Sequence, residues 1–265
     1  MCFDIYTLYV YILFLFHTAY LQYLCVGFRE CEYAVLNVYL QYNGCCINLF
    51  SQYYLFTAYD KAINCYNKSL SLIDNKSDDF KSKEQKIYTN LGATYWRKNE
   101  LKSAYKYFNK SHLLCIELYG KIHPITALAI HNLALIEASL GEYDNAITYF
   151  NKSLEIDQLF YGKKHSVTSR TFSNIGSCYL GKEDYSIAND YFQKSLSIDL
   201  KLFDENHPNL GLDYDDIGDV CVGLKDFENA KIFYNKSLKI FSQSYGIEYS
   251  HTQLLSNKLK KLNDK

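Results

Sequence analysis

Apolar residues in the middle of this chain recur at spacings of three and four and do not alternate. Ile130, Leu133, Ala134 and Ile136 form one stripe, and Tyr143, Ala146, Ile147, Phe150 and Leu154 form a second. Such spacing places each set on one face of an α-helix, so the pattern predicts two amphipathic helices in succession. Between them lies Leu140-Gly141-Glu142-Tyr143, and after them Phe160-Tyr161-Gly162-Lys163-Lys164-His165, each with a glycine where a helix should stop. Pro124 and Pro208 sit where the next helices should begin, a position at which a missing N–H costs nothing.

The pattern is periodic. Writing the chain in rows of 42 residues aligns His123, His165 and His207 in one column and Ala62, Ala104, Ala146, Ala188 and Ala230 in another. Four positions after the alanines stand Tyr66, Phe108, Phe150, Phe192 and Tyr234, inside a nearly repeated string such as Asn151-Lys152-Ser153. A further column reads Asn48, Asn90, Asn132, Asn174 and Asp216, followed by Leu49, Leu91, Leu133, Ile175 and Ile217, then by Phe50, Gly92, Ala134, Gly176 and Gly218. A small residue there lets two helices approach closely, and Phe50 marks the first copy as decayed or terminal. Neither helix of a unit can bury its stripe alone, so the units must stack. The expected fold is all-α, a solenoid of helical hairpins. It comprises five repeats over residues 43–248, the first degenerate, and a C-terminal capping helix over 249–265. The cap carries Lys258, Lys260 and Lys261 on a polar face.

Composition narrows the function classes. Lys plus Arg number 28 and Asp plus Glu 29, so a net charge of −1 offers no overall attraction to nucleic acid or acidic membranes. No phosphate loop, nucleophile elbow, His-Glu-x-x-His or calcium loop occurs, and the repeats leave too little chain for a separate catalytic domain of about 100 residues. The expectation is a non-enzyme with no cofactor. Nine cysteines, an odd number without a C-x-x-C pair, read as reduced thiols in small core sites. Three equally spaced histidines suggest a metal, but equivalent atoms of stacked helices lie about 10 Å apart while zinc ligands lie about 2 Å from one ion. The histidines are therefore expected to cap or pack helix starts. Asn67, Asn109, Asn151 and Asn235 match the glycosylation pattern only because they belong to the mid-helix repeat string.

The small-residue, alanine, aromatic and serine columns resemble the tetratricopeptide repeat, and the 42-residue unit with Tyr-Gly-x-x-His before its first helix resembles the kinesin light chain variety. The charged heptads that precede the repeats in that family have no counterpart in this sequence, so the resemblance extends to the repeats and not to a motor complex. It implies a right-handed superhelix whose first helices line a concave groove, with the residue before the Leu and small pair pointing into it. Asn90, Asn132, Asn174 and Asp216 occupy that column. A carboxamide can accept from a peptide N–H and donate to its C=O, which suits an extended ligand, although bonding between neighbouring helices is an equally physical use. His131 and Arg170 are expected beside this column. Asp213, Asp215, Asp216 and Asp219 crowd the last first helix and suggest either an acidic end of the groove or a solvated acidic helix start stabilised by the helix dipole.

The implied function is that of a cytoplasmic scaffold or adaptor that binds a peptide segment of a protein partner. The alternative is a structural or oligomerising solenoid without a dedicated peptide site. Residues 5–28 contain no Asp, Glu, Lys or Arg and are long enough to span a bilayer, yet no positive residue precedes them. A membrane anchor, a degenerate buried helix pair within segment 1–42, and a stretch absent from the natural product all fit this composition.

Overall fold

The structure, a computed structural model, describes residues 49–72 and 79–263, with side chains from Ala58 onward. The expectations for residues 1–42 lie outside the described residues. Among the described residues every regular element is a helix: α1 (Leu49–Leu72), α2 (Phe80–Arg97), α3 (Leu101–Tyr119), α4 (Pro124–Ser139), α5 (Tyr143–Tyr161), α6 (Ser166–Gly181), α7 (Tyr185–Leu202), α8 (Pro208–Gly223), α9 (Phe227–Tyr245) and α10 (Ser250–Asn263). From α2 to α9 they pack as antiparallel hairpins, α2 with α3, α4 with α5, α6 with α7 and α8 with α9. The second helix of each hairpin also packs on the first helix of the next, and α10 closes the stack against α9. The fold is the all-α tetratricopeptide-type solenoid.

The columns of the sequence are the contacts that close each hairpin. A Cβ built on Gly92 would meet Phe108 at 2.7 Å, on Gly176 Phe192 at 2.8 Å, and on Gly218 Tyr234 at 2.5 Å. The aromatic four residues after the invariant alanine therefore lies directly on the small residue of the partner helix, so side-chain volume at one column excludes it at the other. Ala104, Ala146, Ala188 and Ala230 have no exposed surface. The serine column ties the helices through their backbones: Ser153 Oγ donates to the Ala127 carbonyl at 3.0 Å and Ser237 Oγ to that of Gly211 at 2.7 Å. Such bonds satisfy hydroxyls that are fully buried.

Turns within the hairpins require a left-handed residue, found at Asn99, Gly141, Glu183 and Lys225 with φ between 62° and 83°. The same column in the first copy falls at position 57, within α1, which runs through it as one continuous helix. The three histidines act as N-caps. Nδ1 of His123, His165 and His207 each accepts from the backbone N–H two residues on, at 3.2 Å, and each ring stacks on the preceding Tyr119, Tyr161 or Phe203.

Cys115 and Cys178 occupy buried sites, with burial raising the thiol pKa, to about 11 for Cys178; Cys221 is half-buried and Cys65 exposed. No helix among the described residues is long and apolar enough to cross a membrane.

Candidate functional site

The first helices of successive hairpins, α4, α6 and α8, lie side by side, joined by polar contacts between residues 43 apart. The Asn174 amide meets His131 Nε2 at 3.0 Å, and Ser173 Oγ donates to Asp216 Oδ2 at 2.7 Å. Trp96 Nε1 donates to Ser139 Oγ at 3.1 Å between α2 and α4. Two of the four column residues are thus engaged in spacing the repeats. Asn90 is exposed and Asn132 half-buried, and no side-chain hydrogen bond joins either to another described helix.

His131 is 3% exposed and packs edge-on against Phe150, with ring centroids 5.0 Å apart. Burial, reinforced by the positive charge of Arg170, lowers its pKa to about 3, so the ring is neutral at physiological pH. Arg170 itself is exposed on α6.

The aspartates of α8 do not form one uniform acidic surface. Asp215 and Asp219 face the capping helix: Lys258 Nζ donates to Asp215 Oδ1 at 2.7 Å and to Asp219 at 2.7 and 2.9 Å, and His251 Nε2 lies 3.2 Å from Asp215. Burial pushes the Asp215 pKa up, but the bonds from His251 and Lys258 outweigh it and hold the carboxyl below its usual range. Tyr234 adds its hydroxyl to Asp219 at 2.5 Å. A count of acids along α8 does not reveal this basic partner, which stands 43 residues after Asp215, at the spacing that joins the other first helices.

Asp213 and Asp216 point elsewhere. The pKa of Asp216 rises to about 7 through burial, with Asp215 and Asp219 pushing the same way against Ser173 and Lys258. Asp213 lies in a cleft of about 320 Å³ between α6 and α8, lined by Arg170, Ser173, Ser195, Asp199, Asn209 and Asp213 among others. Burial raises its pKa to about 8; a hydrogen bond with Ser195 opposes this, while the charges of Asp199 and Asp216 add to it. Asp199, on the floor helix α7, is also raised by burial, against hydrogen bonds with Ser169 and Asn209 and the charge of His207. One oxygen of each, Asp199 Oδ1 and Asp213 Oδ2, is buried without a hydrogen-bond partner. Asp199 carries no signal in the repeat columns, since an aspartate also stands at the equivalent Asp157; only the packing of α7 beneath α6 and α8 exposes its role.

Family models described as tetratricopeptide repeat match residues 84–156, 126–201 and 214–244. No curated protein sequence matches the chain. Among solved structures, BtubC (BKLC) from P. vanneervenii is similar with a TM-score of 0.61 at 21% identity, over 71% of this chain and 75% of that one. Nearly identical TPR-like repeats from Podosopora anserina, described as kinesin light chain, give 0.56 at 12% identity, over 68% and 87%. The apo form of RapI gives 0.59 at 19% identity, over 79% and 77%. These likenesses match the hairpin stack in fold, and the repeat architecture is that of a protein-interaction scaffold. The chain belongs to the tetratricopeptide repeat family.

Proposed function

We propose that this protein is an adaptor that holds an extended or helical segment of a partner protein along the face formed by its first helices. Asn90 and Asn132 would meet the ligand backbone directly. Asn174 and Asp216 would contribute from their bonded positions, with His131 packed behind them and Arg170 at the surface. Asp215 and Asp219, already paired with Lys258, would bound the site at its C-terminal end. The observation that carries this reading is the polar cleft between the first helices α6 and α8, which Arg170 and Asp213 line and which lies beside, not among, the Asn90, Asn132, Asn174 and Asp216 column. Each amide bond to a peptide is worth about 0.5–1.5 kcal/mol net, so several are needed together with side-chain contacts.

Peptides selected from a random library on the full chain test the reading. Asn132→Ala should weaken the selected peptides at least about fivefold, the loss of roughly one net hydrogen bond, with an unchanged melting temperature. Asn174→Ala is the less clean variant, because it also breaks the contact with His131. Failure to enrich any peptide, or enrichment indifferent to Asn132 and Asn90, would favour a structural solenoid.

A further inference from the structure

Equivalent junctions in adjoining repeats differ in one respect that points to a ligand. Where α5 meets α6, Asp157 is buried and accepts from Ser153 Oγ at 3.2 Å; burial raises its pKa, and that hydrogen bond and the charges of Arg170 and His165 oppose the rise. One repeat later Asp157 becomes Asp199, Ser153 becomes Ser195 and Arg170 becomes Leu212, while Thr171 becomes Asp213. The junction has lost its guanidinium and acquired a second carboxylate.

Asp199 and Asp213 are each 3% exposed, and each keeps an unpartnered oxygen. A buried acceptor left unsatisfied is costly, and setting a second acidic side chain beside the first adds to that cost. The charges acting on Asp213 are those of Asp199 and Asp216, both acidic. Arg170, though it lines the cleft from α6, exerts its charge on His131 and Asp157 in the preceding repeat. The hydroxyls of Ser169, Ser173 and Ser195 and the amide of Asn209 complete the lining. A volume of about 320 Å³ greatly exceeds the ~30 Å³ share of one water. Among the described residues no group of three or more His, Cys, Asp or Glu could hold a metal ion. Hydroxyl, amide and carboxylate acceptors instead suit a multidentate organic donor.

We propose that the cleft between α6 and α8 receives an arginine side chain of the bound segment, whose guanidinium supplies a positive charge at the junction where Leu212 stands in the column of Arg170. This rests on the peptide-binding reading and gives it a side-chain preference. Leu212, 48% exposed beside the cleft, offers apolar contact to the arginine stem.

The test uses the full chain and a minimal probe, N-acetyl-arginine amide, with N-acetyl-citrulline amide as the neutral isostere, titrated by chemical-shift perturbation at low ionic strength. The arginine probe should bind with a Kd on the order of 1 mM, as fragment-sized ligands do, and the citrulline probe at least tenfold more weakly. Asp213→Asn should weaken the arginine probe at least tenfold. Leu212→Arg, which restores the internal cation, should abolish binding while leaving the melting temperature equal or higher. Equal binding of both probes, no binding of the arginine probe, or wild-type binding by both folded variants would overturn the proposal. Arginine binding that depends on Asp213 would uphold the cleft even if the library selection found no peptide. A selection dependent on Asn132 with no arginine binding would overturn the cleft alone.

Discussion

The junction of α5 with α6 and that of α7 with α8 are built from the same columns, yet one is electrostatically finished and the other is not. Each follows a hairpin that buries an aromatic, Phe150 or Phe192, with the small residue Ala134 or Gly176 of its first helix, and each carries a capping histidine and a buried serine. In the first, Arg170 acts on Asp157; in the second, Asp199 and Asp213 share a cleft whose equivalent cation is absent. A third case lies at the end of the stack, where Lys258 of the cap supplies the charge to Asp215 and Asp219. Packing repeats faithfully because the fold depends on it, whereas charge varies between repeats and is where binding differences can reside.

The largest expected effects lie in what the two junctions share. Phe150→Ala and Phe192→Ala should each lower stability by about 3–5 kcal/mol, the range for emptying an aromatic site in a core. Both rings are fully buried. Comparable denaturation midpoints for the two variants would support equivalence of the cores; a much smaller loss for one would show that its junction collapses around the cavity. Next comes the cap. Lys258→Ala strands Asp215, 7% exposed, and Asp219, and breaking such a pair should cost about 3 kcal/mol. Lys258→Met keeps the packing stem and tests whether charge or packing is responsible. An unchanged melting temperature for Lys258→Met would mean that the aspartates find water or protonate at little cost.

Much of this was legible in the sequence, and the exceptions have physical causes. The 42-residue rows placed the hairpins, the small-to-aromatic contact and the histidine caps, because each is a local or fixed-offset relation that repeats in phase. The first copy departs in running as one helix through the turn column, and Phe50 in place of the small residue already marks that copy as decayed or terminal. Charge pairing was harder to read. Lys258 reads from the sequence as part of a polar outer face, yet its stem crosses to Asp215 on a helix 43 residues away, and a linear count of acids along α8 cannot show that. Nor could helical spacing separate Asn132 from Asn174, which share a column but differ in whether the preceding first helix presents a side-chain partner, as α4 presents His131 to Asn174.

The carboxylates of the unfinished junction give a pH signature. Folding raises the pKa of Asp213 from 3.8 to about 8, chiefly by burial, with Asp199 and Asp216 adding to it. A carboxyl raised in this way favours the folded state fully below about pH 4, and that contribution is lost as pH rises through about 8. Asp213→Asn should therefore match wild type near pH 4 and exceed it in melting temperature near pH 8. Asp157→Asn should show a weaker trend, since Ser153, Arg170 and His165 oppose the effect of burial there. Melting curves from pH 4 to 8.5 decide this; a constant offset between Asp213→Asn and wild type would show that Asp213 titrates no differently in the folded and unfolded chains.

The smallest contrast concerns the links that lead into α6 and α8. Before α6, Gly162 ends α5 at a φ of 82°, and His165 caps the next helix while stacking on Tyr161 at 4.8 Å. Before α8 the glycine column holds Asp204, α7 stops at Leu202, Phe203 is extended, and His207 stacks on Phe203 at 3.9 Å and 10°. Removing a cap costs about 1 kcal/mol in either place. Without a glycine to set the turn, the tighter ring stack has more of the link to hold, and aromatic pairs add about 0.5–1.5 kcal/mol beyond buried area. His207→Ala should consequently destabilise more than His165→Ala, and His207→Asn, which restores a cap but not the ring, should recover only part of the loss. Full recovery with asparagine would assign the whole effect to capping and leave the stack at Phe203 without an energetic role.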